Sequence, residues 1–113
     1  MKVIKKNEAN DFENSSTCWG KEYQHGDNDM GIALIEIKGR YPEKGNCMNT
    51  KCKELVYVTK GKVKIVKGDE FHELETGDSV FIYPNEKYYW EGDCEMAIIC
   101  SPVFDHRQHK ILE

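Results

Sequence analysis

The chain of 113 residues carries 16 lysines and arginines, 20 aspartates and glutamates and a net charge of −4 at pH 7. This length suits one domain. The two signs of charge are interspersed and form no basic face, so nucleic acid is not an expected partner. No apolar run approaches the roughly 20 residues that a membrane helix needs.

The first residues, MKVIKKNEANDFEN, contain lysines but no apolar segment after them. A secretory signal would need such a segment, so we expect a cytoplasmic protein. Its cysteines should then be reduced thiols, and their odd number also argues against a disulfide framework. The five cysteines are Cys18, Cys47, Cys52, Cys94 and Cys100.

Short apolar runs recur along the chain, and turn residues separate them. The predicted strands cover residues 30–37, 55–59, 63–65, 71–74, 79–83, 88–90 and 96–100, with turns at 39–46, 59–62, 67–70, 76–78, 84–87 and 91–93. Turns at roughly 8–12-residue intervals between short strands are typical of an all-β sandwich or barrel. Residues 1–15 and 103–113 are predicted to flank this domain, the first as a turn of helix or a loose strand and the second with a loose end.

Alternation along residues 48–58 points to a polar group inside the barrel. Residues two apart share one face of a strand. If Val56 and Val58 point inward, Glu54 does so too, and a buried glutamate costs several kcal/mol unless it is paired, hydrated or protonated. The same alternation adds Met48, Thr50 and Cys52 to the face of Glu54. The alternative is that residues 51–54 form a solvated rim.

Alternation also separates the cysteines of this stretch, with Cys47 on one face and Cys52 on the face of Glu54. A neighbouring carboxylate would raise the pKa of the Cys52 thiol, which favours a role as pocket wall over a nucleophile. A soft metal site is a further alternative. Tyr88 and Trp90 share a face, and their hydroxyl and indole N–H groups suit a polar ligand such as a sugar or a hydroxy acid. The alternative for this pair is core filling.

Two segments resemble the motifs of the cupin superfamily. ELVYVTKG at residues 54–61 resembles the end of the first cupin motif, and GDSVFIYPNEKY at residues 77–88 resembles the second, with one extra residue before its proline. The resemblance is to small single-domain, type-2-like cupins. It implies a double-stranded β-helix, or jelly roll, as a single cupin-like domain over residues 1–113, usually paired as a homodimer.

The resemblance also identifies what this chain lacks. Cupins that bind a metal take two histidines and a glutamate from the first motif and a histidine from the second. Glu54 keeps the glutamate position, but the histidine positions hold Met48 and Thr50, or Cys47 and Asn49 at a spacing one residue longer. The position from the second motif holds Tyr88. With the usual histidines replaced, no cofactor and no standard metal site are expected.

These observations predict a cupin-fold protein that binds a small polar molecule, sugar-like or a hydroxy acid, in its barrel. The residues predicted to line the ligand are Met48, Thr50, Cys52, Glu54, Tyr88 and Trp90. One alternative is a cofactor-free isomerase or epimerase that uses Glu54 as base and Tyr88 as acid. Another is an unconventional metal site from Cys52 and Glu54, joined by His109 if the tail folds across the barrel mouth. A barrel that acts only through its dimer surface also stays open, as does the question of enzymatic activity.

Overall fold

The computed structural model describes residues 1–113 and is built almost entirely of β-strands. The strands are β1 Asn10–Ser15, β2 Cys18–Tyr23, β3 Gly31–Tyr41, β4 Asn46–Asn49, β5 Lys53–Lys67, β6 Glu70–Glu75, β7 Ser79–Ile82, β8 Tyr89–Ser101 and β9 His109–Leu112. Single 3-10 turns lie at Lys6–Glu8 and His106–Gln108. The predicted fold class, an all-β jelly roll, is confirmed. The structure contains no helix with the length and apolar character that crossing a membrane would require.

Seven antiparallel strands form one curved sheet, and two more strands face it. The order in the large sheet is β1-β2-β3-β8-β5-β6, and β7 pairs with the first part of β5. The small sheet consists of β4 and β9. Two backbone hydrogen bonds between Cys47 and Tyr88, of 2.8 and 3.0 Å, attach it to the segment that leads into β8. The small sheet therefore lies directly beside the aromatic end of that strand.

The two longest strands run through positions where the sequence pattern predicts turns. Gly61 and Gly92 lie inside β5 and β8, so the turns predicted at 59–62 and 91–93 are wrong. A Cβ at Gly61 would lie 2.1 Å from the carbonyl oxygen of Asp93, and one at Gly92 would lie 2.4 Å from that of Lys62. These glycines allow two strands to approach and coil around each other, which continues the ladder where a turn would have ended it.

Both flanking segments are ordered parts of the barrel. Residues 10–23 form β1 and β2, and β2 pairs with β3 along its length. The end of the chain, predicted to be loose, forms β9 against β4, with Asn49 opposite His109. This pairing joins segments about 60 residues apart, which local patterns do not reveal.

The core follows the alternation of β8 and of the first part of β5, as far as an irregularity between Val58 and Lys60. The inward side chains of β5 include Glu54, Val56 and Val58, and those of β8 include Met96 and Ile98; all are buried. The period of two therefore holds in β8 and over residues 54–58 of β5, where it places the carboxyl group of Glu54 among apolar side chains. Beyond the irregularity the buried residues of β5 are Val63 and Ile65.

The close approach at Gly61 leads to a stability prediction. Gly61→Ala should lower the free energy of unfolding by about 3 kcal/mol or more, because the new Cβ meets backbone and the residue has φ +80°. Gly68→Ala is the matched control, since Gly68 also has a positive φ of 59° but no atom within 4 Å of the Cβ position. It should cost only about 1–2 kcal/mol. Urea unfolding measures both values, and equal losses would contradict the role assigned to the close approach.

Candidate functional site

A cavity of about 520 Å³ lies between the large sheet, the 23–31 loop and the chain tail. Its wall includes the apolar side chains of Ile35, Ile37, Met96, Ile98 and Phe104, and exposed residues of the loop also line it. We call its inner end the lining side chains that hydrogen bonds or ring contacts join in pairs within the barrel: Tyr41, Glu54, Tyr88, Trp90, Cys100 and His109.

Glu54 is the only buried charged-type residue of the chain, with an exposed fraction of 7%. Three groups donate hydrogen bonds to its carboxyl group: Asn49 Nδ2 at 2.9 Å, Tyr88 Oη at 3.1 Å and Cys100 Sγ at 3.3 Å. Burial nevertheless raises the pKa of Glu54, because desolvation outweighs the three donors, which act in the opposite direction. The site therefore holds a carboxyl group that resists ionisation.

Tyr88 and Trp90 contact each other edge to face, with ring centroids 5.9 Å apart. Both are buried, and both line the cavity together with Glu54. Burial, and next the neighbouring Glu54, raise the pKa of Tyr88 well above its usual value, so its hydroxyl stays protonated. Three of the six residues predicted to line a ligand thus meet at one end of the cavity.

The other three predicted residues lie elsewhere. Cys52 is buried with its Sγ 3.3 Å from the carbonyl oxygen of Pro102, and Thr50 Oγ1 donates to the carbonyl oxygen of Gln108 at 3.2 Å. Neither these two nor Met48 lines the cavity. The reason is that β4 ends at Asn49 and β5 begins at Lys53, so the alternation breaks between them.

The small sheet supplies polar groups that the alternation argument missed. Asn49 is buried, and its Oδ1 accepts hydrogen bonds from Gln108 Nε2 at 3.0 Å and from His109 Nδ1 at 2.9 Å. The hydroxyl of Tyr41 lies 2.9 Å from His109 Nε2. The sequence pointed to Asn49 only through its place at a histidine position of the cupin motif. Nothing in the sequence pointed to Tyr41 or Gln108 as part of the site.

The five cysteines are buried and unpaired. Burial raises the pKa of Cys18 to about 11 and that of Cys47 to about 12, and it raises those of the other three as well. Neutral thiols of this kind are poor nucleophiles and poor metal ligands until they lose a proton. Cys100, which donates to Glu54, serves the site as a hydrogen-bond donor.

The metal that many cupins hold does not fit this inner end. No group of three or more His, Cys, Asp or Glu side chains is placed to hold a metal ion. Both oxygens of Glu54 already accept from neutral donors, and Cys52 faces a backbone carbonyl outside the cavity. The residues therefore form a hydrogen-bonding pocket, and we derive no step through a metal.

The architecture matches solved structures, while neither a protein-family model nor a curated protein matches the sequence. Pac13, a Streptomyces nucleoside dehydratase, superposes with a TM-score of 0.87 at 16% identity, over 100% of this chain and 92% of its own. Ectoine synthase from P. lautus gives 0.76 at 20% identity, over 100% and 91%. A cupin-2 domain protein from Shewanella frigidimarina gives 0.56 at 20%, over 64% and 70%.

The chain has the cupin fold. Sequence identities of 16–20% show a common fold and nothing further. That the usual metal-binding histidines are replaced in this chain therefore stays a prediction from the sequence pattern. The cupin-fold neighbours include enzymes that act on small molecules, and solved structures of variants of the Streptomyces protein contain uridine.

The raised pKa of Glu54 leads to a pH prediction. Between its ordinary value of 4.5 and its raised value in the folded state, the folded protein binds the extra proton. The free energy of unfolding of the wild type should then fall as pH rises through this window, relative to Glu54→Gln, which cannot ionise. The difference should reach about 1.4 kcal/mol for each unit by which the pKa is raised.

Urea unfolding of the wild type and Glu54→Gln from pH 4 to pH 8 measures this difference. Glu73→Gln, which removes an exposed carboxyl group, is the matched control. A constant difference between the wild type and Glu54→Gln across this range would show that Glu54 ionises in the folded protein as it does in the unfolded chain.

Proposed function

We propose that this cupin-fold chain binds a small neutral polar molecule, of the sugar or nucleoside class, at the inner end of its barrel and without a standard metal site. The observation that carries the proposal is the buried group of Glu54, Tyr88 and Trp90 in a cavity whose lining is mostly hydrophobic. Pockets of this composition bind organic molecules through apolar contact and a few convergent polar groups.

The charges of the cavity favour a neutral ligand over a hydroxy acid. The acidic side chains of Glu22 and Asp27 line it, and no lysine or arginine does. Lys2, the cation beside the outer loop, donates to the carbonyl oxygen of His25 at 3.0 Å and does not line the cavity. A carboxylate or phosphate would meet like charge, which costs binding free energy.

The likeness to a nucleoside dehydratase over the whole chain supports the nucleoside class within this proposal. Trp90, Met96 and Ile98 offer an apolar wall to a planar base, while Glu54 and Tyr88 can exchange hydrogen bonds with ribose hydroxyls or base edges. Uridine is therefore the first probe to use.

Proton-transfer catalysis without a cofactor is the second candidate function. The direct hydrogen bond between Tyr88 and Glu54 and the enzymatic activities of neighbouring folds favour it. Burial raises the pKa of Glu54, which makes its carboxylate a stronger proton acceptor, the role that the sequence suggested.

The five unpaired cysteines and the net charge of −4 support two further parts of the proposal, a reducing compartment such as the cytoplasm and a partner other than nucleic acid. Both stay predictions. Detection of the native protein in a cytosolic fraction with its thiols reduced is the expected result for the first.

Binding of uridine tests the main proposal. Titration calorimetry should show saturable binding to the wild type, and uridine 5′-monophosphate should bind at least about tenfold more weakly, a difference of about 1.4 kcal/mol. Glu54→Gln should weaken uridine binding while Glu73→Gln leaves it unchanged. Absence of binding for uridine and for a panel of neutral sugars and nucleosides would overturn the proposal, and tighter binding of the monophosphate would overturn the charge argument.

A homodimer formed through the outer face of the sheet is a further part of the proposal. Leu55, Tyr57, Phe81 and Tyr83 form an exposed apolar patch there, with exposed fractions of 43–62%. Leu55 pairs with Phe81 across the strands, and the rings of Phe81 and Tyr83 lie 4.9 Å apart. Contiguous apolar patches on a sheet face commonly mark protein interfaces, and a second copy presents the same patch.

Sedimentation velocity tests the dimer. The wild type should sediment as a dimer at micromolar concentration, and Tyr57→Lys should sediment as a monomer, because two buried ammonium groups would face each other. Phe71→Lys is the matched control, since Phe71 has an exposed fraction of 58%, against 50% for Tyr57, but lies on β6, outside the patch. A monomeric wild type, or a dimer that survives Tyr57→Lys, would contradict this interface.

A further inference from the structure

The inner end of the cavity contains a second polar pair that the proposed function does not use, Tyr41 and His109. Both side chains line the cavity, and their polar atoms Oη and Nε2 lie 2.9 Å apart. The direction of this hydrogen bond decides what the pair can do chemically. The surrounding hydrogen bonds determine that direction.

The starting point is the side-chain amide of Gln108. Its Oε1 accepts from two backbone N–H groups, Lys51 N at 3.1 Å and Cys52 N at 3.2 Å. A backbone N–H can only donate, so the atom that faces both must be the oxygen. The other amide atom, Nε2, therefore donates to Asn49 Oδ1 at 3.0 Å.

The hydrogen bond from Gln108 also determines the orientation of the Asn49 amide. Since its Oδ1 accepts from Gln108, its Nδ2 is the atom 2.9 Å from the Glu54 carboxyl group, which gives that carboxyl a donor. His109 Nδ1 also lies 2.9 Å from Asn49 Oδ1. An amide oxygen can only accept, so His109 Nδ1 must carry a hydrogen.

This leaves His109 Nε2 as the acceptor of the neutral ring, and the hydroxyl of Tyr41 donates to it. Two aromatic neighbours contact the imidazole: the Tyr41 ring lies nearly parallel to it, at 10° with centroids 6.1 Å apart, and the Phe104 centroid lies 6.0 Å away. Burial lowers the pKa of His109, which favours the neutral ring that can accept a proton.

We propose that Tyr41 and His109 form the proton-accepting pair of this cavity, with Asn49 and Gln108 as positioning residues that select the Nδ1–H tautomer of His109. This deepens the proposed function and rests on it for the place of the ligand. The arrangement of hydroxyl, imidazole and orienting amide follows the logic by which an adjacent base activates a hydroxyl group.

The step balances without a co-reactant. A proton of the bound molecule passes to the Tyr41 oxygen while the proton of Tyr41 passes to His109 Nε2. The electron pair of the broken bond stays with the bound molecule, as an enolate when the carbon lies next to a carbonyl. The substrate class is therefore a neutral polar molecule with an acidic C–H bond beside a carbonyl.

The tautomer is tested first, without any ligand. In two-bond ¹H–¹⁵N spectra of the wild type at pH 7, His109 should show a protonated Nδ1 and an unprotonated Nε2. In Gln108→Glu the donor to Asn49 is lost, so the Nδ1–H form should no longer dominate. A wild-type His109 with Nε2 protonated, or with both nitrogens protonated, would overturn the proposal.

The proton acceptor is tested with 5-nitrobenzisoxazole. Removal of the C3 proton breaks its N–O bond and releases a coloured cyanophenolate, so the reaction needs only a base. The wild type should accelerate it, and Tyr41→Phe and His109→Gln should each lower kcat/KM by about 100-fold or more. His72→Gln is the matched control, since His72 is exposed and bonded to Glu70.

Three outcomes of this assay count against the pair: no acceleration above free imidazole, an unchanged rate in His109→Gln, or an unchanged rate in Tyr41→Phe. Neither this assay nor the spectra depend on uridine. If uridine fails to bind while both tests succeed, the proposed ligand class is wrong and the proton-accepting pair stands. If uridine binds while both tests fail, the ligand class stands and the proton-accepting pair is wrong.

Discussion

The inner end of the barrel depends on one buried side-chain amide. Asn49 donates to Glu54 in the large sheet and accepts from Gln108 and His109 in the tail. Each of these groups would be costly to bury alone. Through Asn49 they satisfy one another, and no buried side-chain nitrogen or oxygen of the chain lacks a partner. The same contacts hold the tail against the barrel and give the cavity its polar end.

This network surrounds the carboxyl group of Glu54 inside the barrel with hydrogen-bond donors. In a metal-binding cupin a cation would compensate the charge of the motif glutamate. Here three neutral donors surround Glu54, and desolvation still prevails and raises its pKa. Burial opposes the ionisation of both titratable groups beside Asn49, because it raises the pKa of Glu54 and lowers that of His109. Glu54 bonds to the nitrogen of the Asn49 amide and His109 to its oxygen.

The likeness to solved enzymes agrees with this chemistry at the level of the fold only. A jelly roll can hold many kinds of site, and identities of 16–20% to the solved structures do not transfer a reaction. What points to a neutral organic ligand is local to this chain. Acidic side chains line the cavity, its middle is apolar, and its inner end offers hydrogen-bonding groups of both polarities.

The amino-acid sequence by itself determined the all-β class, most of the strands and the inward direction of Glu54, Tyr88 and Trp90. These follow from period-two alternation and turn residues, which act over a few neighbours. Only the tertiary structure decided that Gly61 and Gly92 lie within strands, because the close approach of another backbone defines their role. It also decided which residues form the site. Met48, Thr50 and Cys52 do not line the cavity. Tyr41 and His109 line it, and Asn49 is hydrogen-bonded to Glu54 and His109. The physical reason is that an interruption of the strand between β4 and β5 and a pairing across 60 residues set these positions, and neither can be recognised from a local sequence pattern.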